Sequence, residues 1–256
     1  MRGSVMTMPD AHSRDAFLGG QIALRQSKDG YRAAMDPVLL AAAVPVVTQG
    51  RVLDLGCGNG AALLCYGSRV PGPALVGLEL DGEAAALARL NARENGFEGR
   101  CDILHGDILN PPDTLTPGGF DQVFANPPYM DARAGDASPI ADRARSNVEG
   151  NARLKDWIAA LLRFARPKGG ITLIHRADRT DEILALLSRK AGDITVIPLW
   201  PRQGQPAKRV IVRARKGVRG GTILHPGLVL HGAADDPAAR YTPAAAAILR
   251  DGAALA

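Results

Sequence analysis

An asparagine, two prolines and a tyrosine stand in a row at Asn126-Pro127-Pro128-Tyr129, directly after the apolar run Val123-Phe124-Ala125, where a buried strand is expected to end. Consecutive prolines fix φ near about −65° and carry no backbone N–H, so they build a rigid turn whose carbonyls remain free to accept. Asn126 can accept through its side-chain oxygen, the Pro127 carbonyl can accept beside it, and Tyr129 offers a flat face for stacking. The set suits a planar group bearing an exocyclic NH2, and the chemistry it suggests is work on that nitrogen. The same four residues also read as a tight turn with a packing tyrosine, so the elements around them must decide.

Upstream, Arg51-Val52-Leu53-Asp54-Leu55 reads as a short buried strand that runs into Gly56-Cys57-Gly58-Asn59-Gly60 and then into an apolar stretch able to open a helix. Alternate glycines let the backbone approach a ligand and adopt φ > 0. Their G-x-G-x-G spacing departs from the dinucleotide-binding fingerprint. Asp54 is expected to organise this turn by accepting from backbone N–H groups rather than to act as a base, and Cys57 to fill space. Two more strands follow. One ends at Glu79, with Leu80 after it; the other is Cys101-Asp102-Ile103-Leu104-His105, leading into Gly106-Asp107-Ile108. Either carboxylate alone also reads as a helix N-terminal charge, and His105 as a supporting histidine. Jointly, four successive strands carry glycine or polar residues at their carboxyl ends, where open α/β sheets bind ligands.

The run Asp54-Leu55-Gly56-Cys57-Gly58-Asn59-Gly60, with Glu79 ending the next strand, resembles the class I S-adenosylmethionine-dependent methyltransferases. The resemblance implies S-adenosylmethionine as cofactor, with Asp54, Gly56, Cys57, Gly58, Gly60, Leu80, Ile108 and Asn126 among its contacts. It also implies Glu79 at the ribose hydroxyls and Asp107 at the adenine amino group. Gln26-Ser27-Lys28-Asp29-Gly30-Tyr31-Arg32, followed by Asp36-Pro37-Val38-Leu39-Leu40, is similar to the N-terminal signature of the bacterial tRNA adenine-N6 methyltransferases that modify the anticodon loop of valine tRNA. In that family the segment packs over the cofactor cleft, which adds Tyr31, Arg32 and Asp36 as binding candidates. Family members often carry an Ala-Arg-His-Glu-like stretch after the aromatic turn, whereas this chain has Ala144-Arg145-Ser146-Asn147-Val148-Glu149. The resemblance ranks N6 methylation of tRNA adenine first, with Asn126, Pro127, Pro128 and Tyr129 as the catalytic set. Glutamine N5 methylation of a protein such as a release factor, guanine N2 methylation of rRNA, DNA adenine methylation and a non-catalytic RNA-binding relic are the alternatives.

The chain has 256 residues, 46% of them hydrophobic, enough for a full core. The expected fold is α/β: a seven-stranded, mostly parallel Rossmann-like methyltransferase sheet with helices on both faces and a small N-terminal hairpin over 17–26. Strands are expected at 51–55, 74–79, 101–105, 123–125, 171–174, 194–199 and 209–213. Helices are expected at 38–44, with Asp36 as N-cap and Pro37 in its first turn, at 82–95 capped by Asp81, at 152–166 and at 180–190. Residues 1–16 are set aside as a tag or unstructured start, leaving 17–256 as one methyltransferase domain. Three cysteines with no C-x-x-C pair fit a reducing cytosol and argue against a disulfide framework or a metal site. No apolar run reaches membrane-span length, and nothing in the sequence sets an oligomeric state.

Two segments are expected to face the substrate. Residues 130–150 are polar and lack apolar periodicity, which reads as a long loop beside the site. Farther on, Arg202, Lys208, Arg209, Arg213, Arg215, Lys216 and Arg219 occur with no acidic residue between Asp193 and Asp235, exceeding by themselves the formal net charge of +5. Localised positive charge suits a phosphate backbone and makes Lys208, Arg209, Arg213 and Arg215 nucleic-acid candidates. A solvated strand face is the simpler reading of the same charges.

Overall fold

The computed structural model describes residues 12–28, 32–131, 148–149, 151–232 and 240–255. A nine-stranded sheet runs through it. In chain order the elements are β1 (His12–Phe17), β2 (Ile22–Ser27), α1 (Met35–Ala43), β3 (Arg51–Leu55), α2 (Ala61–Arg69), β4 (Ala74–Glu79), α3 (Gly82–Glu94), β5 (Cys101–His105) and β6 (Phe120–Ala125). The pairs β7 (Met130–Asp131) and β8 (Val148–Glu149) come next, then α4 (Leu154–Phe164), β9 (Ala165–Arg176), α5 (Thr180–Leu187), β10 (Ala191–Trp200), β11 (Arg209–Lys216), β12 (Thr222–Leu224), β13 (Leu228–Val229) and α6 (Pro243–Asp251).

Across the sheet the order is β12-β10-β11-β9-β6-β3-β4-β5, with β13 beside β10. Strands β3, β4, β5, β6 and β9 are parallel, and β11 runs antiparallel to both β9 and β10. From β3 the chain steps outward through β4 to β5, then returns to place β6 on the other side of β3. That reversal between β3 and β6 is the switch point at which open α/β sheets leave a crevice beyond their carboxyl ends. The register puts Leu55 opposite both Leu78 and Ala125, so the turns after β3 and β6 leave the sheet side by side.

Both faces are covered. Helices α1, α2, α3 and α6 share one core with the hairpin, built on Leu39, Leu40, Leu63, Leu64, Ala88 and Ile248. The other face packs α4 and α5, through Trp157, Ile158, Leu161 and Ile183, against Leu53, Val123 and Leu173. Asp81 caps α3 as expected, accepting from the N–H groups of Glu83 and Ala84.

Several expectations need correction. Residues 12–16, set aside as part of the N-terminus, form most of β1, which pairs with β2 in register His12↔Ser27 to Phe17↔Ile22. Asp36 is not an N-cap: α1 begins at Met35 after Ala34, which makes no side-chain cap bond, and Asp36 lies inside the first turn. Helix α4 stops at Phe164, and Arg166 and Pro167 belong to β9. Helix α5 ends at Leu187, short of 190. Strands β12 and β13, absent from the expected seven, extend the sheet at its β10 edge. The ends of the expected 130–150 loop pair as two-residue strands, Met130↔Val148 and Asp131↔Glu149; residues 132–147 and 150, Tyr31, and positions 1–11 lie outside the described residues. No helix among those described is long and apolar enough to cross a membrane.

Candidate active site

The glycine turn after β3 is built from three left-handed residues, with φ of 68° at Gly56, 55° at Gly58 and 87° at Gly60, a region that a side chain disfavours. At Gly56 a Cβ would also lie 2.6 Å from the Trp157 ring. At Gly58, by contrast, a Cβ would meet nothing within 4 Å, so the backbone there faces open space. The N–H groups of Gly56 and Cys57 donate to the Leu78 carbonyl, locking this turn to β4. Cys57 points away from the opening and fills the room left by Gly77, where a Cβ would come within 2.7 Å of its sulfur. Burial pushes its thiol well above the usual range, with Asp54 and Glu79 adding to the shift, so it is an inert filler.

Asp54 is buried, and the Leu63 backbone in α2, not the glycine turn, partly offsets the cost of its charge. Its Oδ2 has no partner among the described residues. Burial, then the Glu79 charge, raises this carboxyl well above its ordinary range. Glu79 reaches across from β4 to accept from Gly58 N–H at 2.7 Å and from Asp81 N–H at 2.9 Å. Burial raises its pKa although both N–H groups pull it down. Leu80 beside it is 64% exposed, an apolar side chain standing free at a cleft edge. Asp107 accepts from Leu109 N–H in a local turn, and Ile108 leans on the core. His105 bonds the Leu80 carbonyl, a supporting contact.

The second half of the site hangs on the turn after β6. The Tyr129 hydroxyl lies 2.5 Å from Asn126 Oδ1 and 2.9 Å from Asp36 Oδ2. Arg209 donates to the same Asp36 oxygen at 3.2 Å and places its guanidinium 4.3 Å from the Tyr129 ring centroid. One face of the expected stacking platform is therefore taken by a cation. His175, at the end of β9, meets Tyr129 at right angles with centroids 5.4 Å apart. It is fully buried, neither ring nitrogen has a partner among the described residues, and burial together with Arg179, Arg176 and Arg209 lowers its pKa to about 4. The imidazole is therefore neutral.

Asp36 thus faces the Asn126 turn, through Tyr129. Arg32 forms a two-bond pair with Asp15 of β1 and so ties down the hairpin. The basic run divides as well. Lys208 precedes β11 and Arg209 opens it at the carboxyl end of the sheet, where Arg209 pairs with Arg176. Arg215 pairs with Gly170 at the other end, roughly 20 Å away at about 3.3 Å per residue. Arg213 and Arg215 line a rear cavity of about 560 Å³ with Arg166, Lys168, Asp121 and Asp193. The four basic candidates do not form one patch.

Sequence reasoning passed over three residues. Buried Gln26 donates to Asp15 and accepts from Ala33 N–H and Asn59, stitching the hairpin to the glycine turn. Trp157 closes the glycine turn from behind, and His175 supports Tyr129. Trp157 falls at helical spacing with Leu154, Ile158 and Leu161, which signals core.

Residues 34–146 match the family model of the methyltransferase small domain. The tRNA1(Val) (adenine(37)-N6)-methyltransferase of Aeromonas hydrophila is 29% identical over 76% of this chain and 82% of its own length. The protein of the same name from Porphyromonas gingivalis is 28% identical over 72% and 76%. Among solved structures, a predicted O-methyltransferase from Agrobacterium tumefaciens superposes with a TM-score of 0.70 at 26% identity, covering 86% of this chain and 98% of that one. M. jannaschii TYW2 in complex with AdoMet shares the fold, with a TM-score of 0.58 at 12% identity over 83% and 89%.

Proposed function

We propose that this chain is a class I S-adenosylmethionine-dependent methyltransferase and that it methylates N6 of an adenine in tRNA. The observation that carries the reading is the placement of Asn126 and the Pro127 carbonyl beside the glycine turn at the switch point, in a chain whose relatives are named for adenine-37 N6 methylation of tRNA1(Val).

The residues present fit the cofactor. Open space over Gly58, carboxylates at Glu79 and Asp107, and an exposed Leu80 make a cleft with acceptors for hydroxyl and amino groups and an apolar rim. Glu79 would hold the ribose, Asp107 the adenine amino group, and Leu80 and Ile108 the ring. S-adenosylmethionine supplies an electrophilic methyl group on a sulfonium.

An exocyclic amine is a poor nucleophile because its lone pair is delocalised into the ring. Asn126 Oδ1 and the Pro127 carbonyl would accept its two hydrogens, favour pyramidalisation and aim the lone pair, a positioning effect. The N–H proton leaves to solvent, so no strong base is needed; His175, with its pKa near 4, is a weak one. The base would reach the site splayed from its loop and stack against Tyr129. Lys208 and Arg209, at the carboxyl end, would meet RNA phosphates near the entrance, with a cytoplasmic tRNA as the partner. Glutamine N5 and guanine N2 could use the same acceptors, but the relatives named above carry adenine in their names.

The test is transfer of labelled methyl from S-adenosylmethionine to total tRNA, rRNA and protein in parallel, with nucleoside analysis of the labelled fraction. N6-methyladenosine in tRNA is expected; label in protein or in rRNA guanine would overturn the substrate.

A further inference from the structure

We propose that the rear cavity, at the amino end of the sheet, is a second binding site whose ligand is a small phosphomonoester bearing hydroxyl groups. The site is separate from methyl transfer and does not depend on it. Its floor begins as a break in a core layer. Ile174, Ile211 and Ile197 lie side by side on β9, β11 and β10 and belong to the core on which α1 packs. Two residues toward the amino end of the sheet, on the same face, the row reads Thr172, Arg213 and Thr195. Helix α1 has ended at Ala43, and residues 45–49 form one wall of the cavity over this polar row.

A charged group in such a row calls for a partner. Arg213 is half-buried, burial lowers its pKa, and it makes no hydrogen bond or ion pair among the described residues. Two of its neighbours are occupied: Arg166 pairs with Asp121 at 2.7 Å, and Arg215 with Asp193 at 3.2 Å. Lys168, exposed at the rim, has no side-chain partner among the described residues either. The lining therefore sets four basic side chains against two carboxylates and leaves Arg213 and Lys168 over. A phosphomonoester near pH 7 carries close to two negative charges. Its oxygens accept from a guanidinium and an ammonium in charge-assisted bonds, and binding relieves the cost of a partly desolvated, unpaired cation.

The rest of the lining speaks for hydroxyl groups. Gln122 lines the cavity, and its Oε1 is buried with no partner among the described residues. That oxygen lies over Gly170, where a Cβ would come within 2.1 Å of it, so the glycine makes room for the amide. An acceptor without a donor suits a ligand hydroxyl. Asp121 and Asp193 accept as well, and their charges disfavour a long polyphosphate strand. The volume of about 560 Å³ lies within the range of about 300–1,000 Å³ usual for small-molecule sites. A cation on the floor of a recess fits a small anion better than a nucleic-acid backbone, which is met by cations that project.

Calorimetric titration of the full chain with ribose 5-phosphate, inorganic phosphate and ribose tests this, with and without S-adenosylmethionine. Ribose 5-phosphate is expected to bind one-to-one and at least about tenfold tighter than inorganic phosphate, through its hydroxyls. Ribose alone should give no heat of binding, and added S-adenosylmethionine should leave the affinity within about twofold, the two sites lying at opposite ends of the sheet. Arg213→Met should weaken ribose 5-phosphate by at least about tenfold and abolish the rise in Tm that the ligand gives the wild type. If Arg213→Met does not fold, Lys168→Met, at an exposed position, carries the same criterion. No binding, equal affinity for inorganic phosphate, loss of binding on saturation with S-adenosylmethionine, or a variant of wild-type affinity each overturns the proposal. So does Arg213→Met flattening the salt dependence of tRNA binding while ribose 5-phosphate fails to bind, since the recess would then hold nucleic acid. None of these outcomes bears on the methyl-transfer assay, so the two readings fail separately.

Discussion

Strand β11 carries arginine at both ends, and the two ends differ in what surrounds them. At the carboxyl end of the sheet Arg209 lies over Tyr129 and holds Asp36, inside the candidate site. At the amino end Arg215 donates to the Lys168 carbonyl and Asp193, and half-buried Arg213 lines the rear cavity. Spacing along the chain is the same kind of signal in both cases. What separates them is which end of the parallel strands they reach, because glycine turns, free carbonyls and helix N-termini collect at one end only. A run of basic residues on a strand that crosses the sheet is split between front and back.

Asn126→Ala should mark the contrast most strongly. Loss of an acceptor used only as the amine is aimed should cost about 100- to 1,000-fold in turnover, with cofactor affinity within about tenfold, as read by single-turnover rates and calorimetry. Full activity would remove Asn126 from the site.

Acid should then disturb the carboxyl end through His175. Its folded pKa of about 4 lies below the ordinary 6.5, so its contribution is fully present above pH 6.5 and is lost as the pH falls toward 4, by up to about 3 kcal/mol. Asp54 and Glu79, raised by burial, act in the opposite sense and favour the fold as the pH falls. His175→Phe should therefore flatten the acid side of a stability–pH curve between 6.5 and 4; an unchanged slope would mean that another group carries it.

The glycine turn offers a finer cut. Gly56→Ala meets both a φ of 68° and the Trp157 ring and should cost about 1–3 kcal/mol in denaturant unfolding. Gly58→Ala meets a φ of 55° but no atom within 4 Å. It should cost about 1 kcal/mol or somewhat more in stability, yet weaken S-adenosylmethionine by more than Gly56→Ala does per unit of stability lost, because its Cβ enters the open cleft. The smallest effect concerns RNA: neutralising Lys208 should reduce the slope of log affinity against log salt by about one, whereas Arg213→Ala with Arg215→Ala should leave it within error. Equal slopes would restore a single basic patch.

The seven principal strands, the three turns at their carboxyl ends and the Asp81 cap were legible because each is written in a few adjacent residues: apolar runs, alternate glycines, a proline pair. Strands β12 and β13 were not, since segments of three and two residues, the first exposing Ile223 and Leu224, are strands only by pairing with β10. Asp36 before Pro37 has the local look of a cap, but its partners Tyr129 and Arg209 arrive through the fold. His175 gave no signal, and Gln26 entered only as the start of a signature with no role of its own, for a buried polar side chain is defined by what encloses it.

The location of the site is tested most directly by hydrogen exchange with and without S-adenosylmethionine. Added cofactor should protect the amides of 56–60, 79–81, 106–109, Asn126 and Tyr129 and leave those of 168–170 and 213–216 unchanged. Protection at the amino end of the sheet, or none at the glycine turn, would contradict a site built at the switch point between β3 and β6.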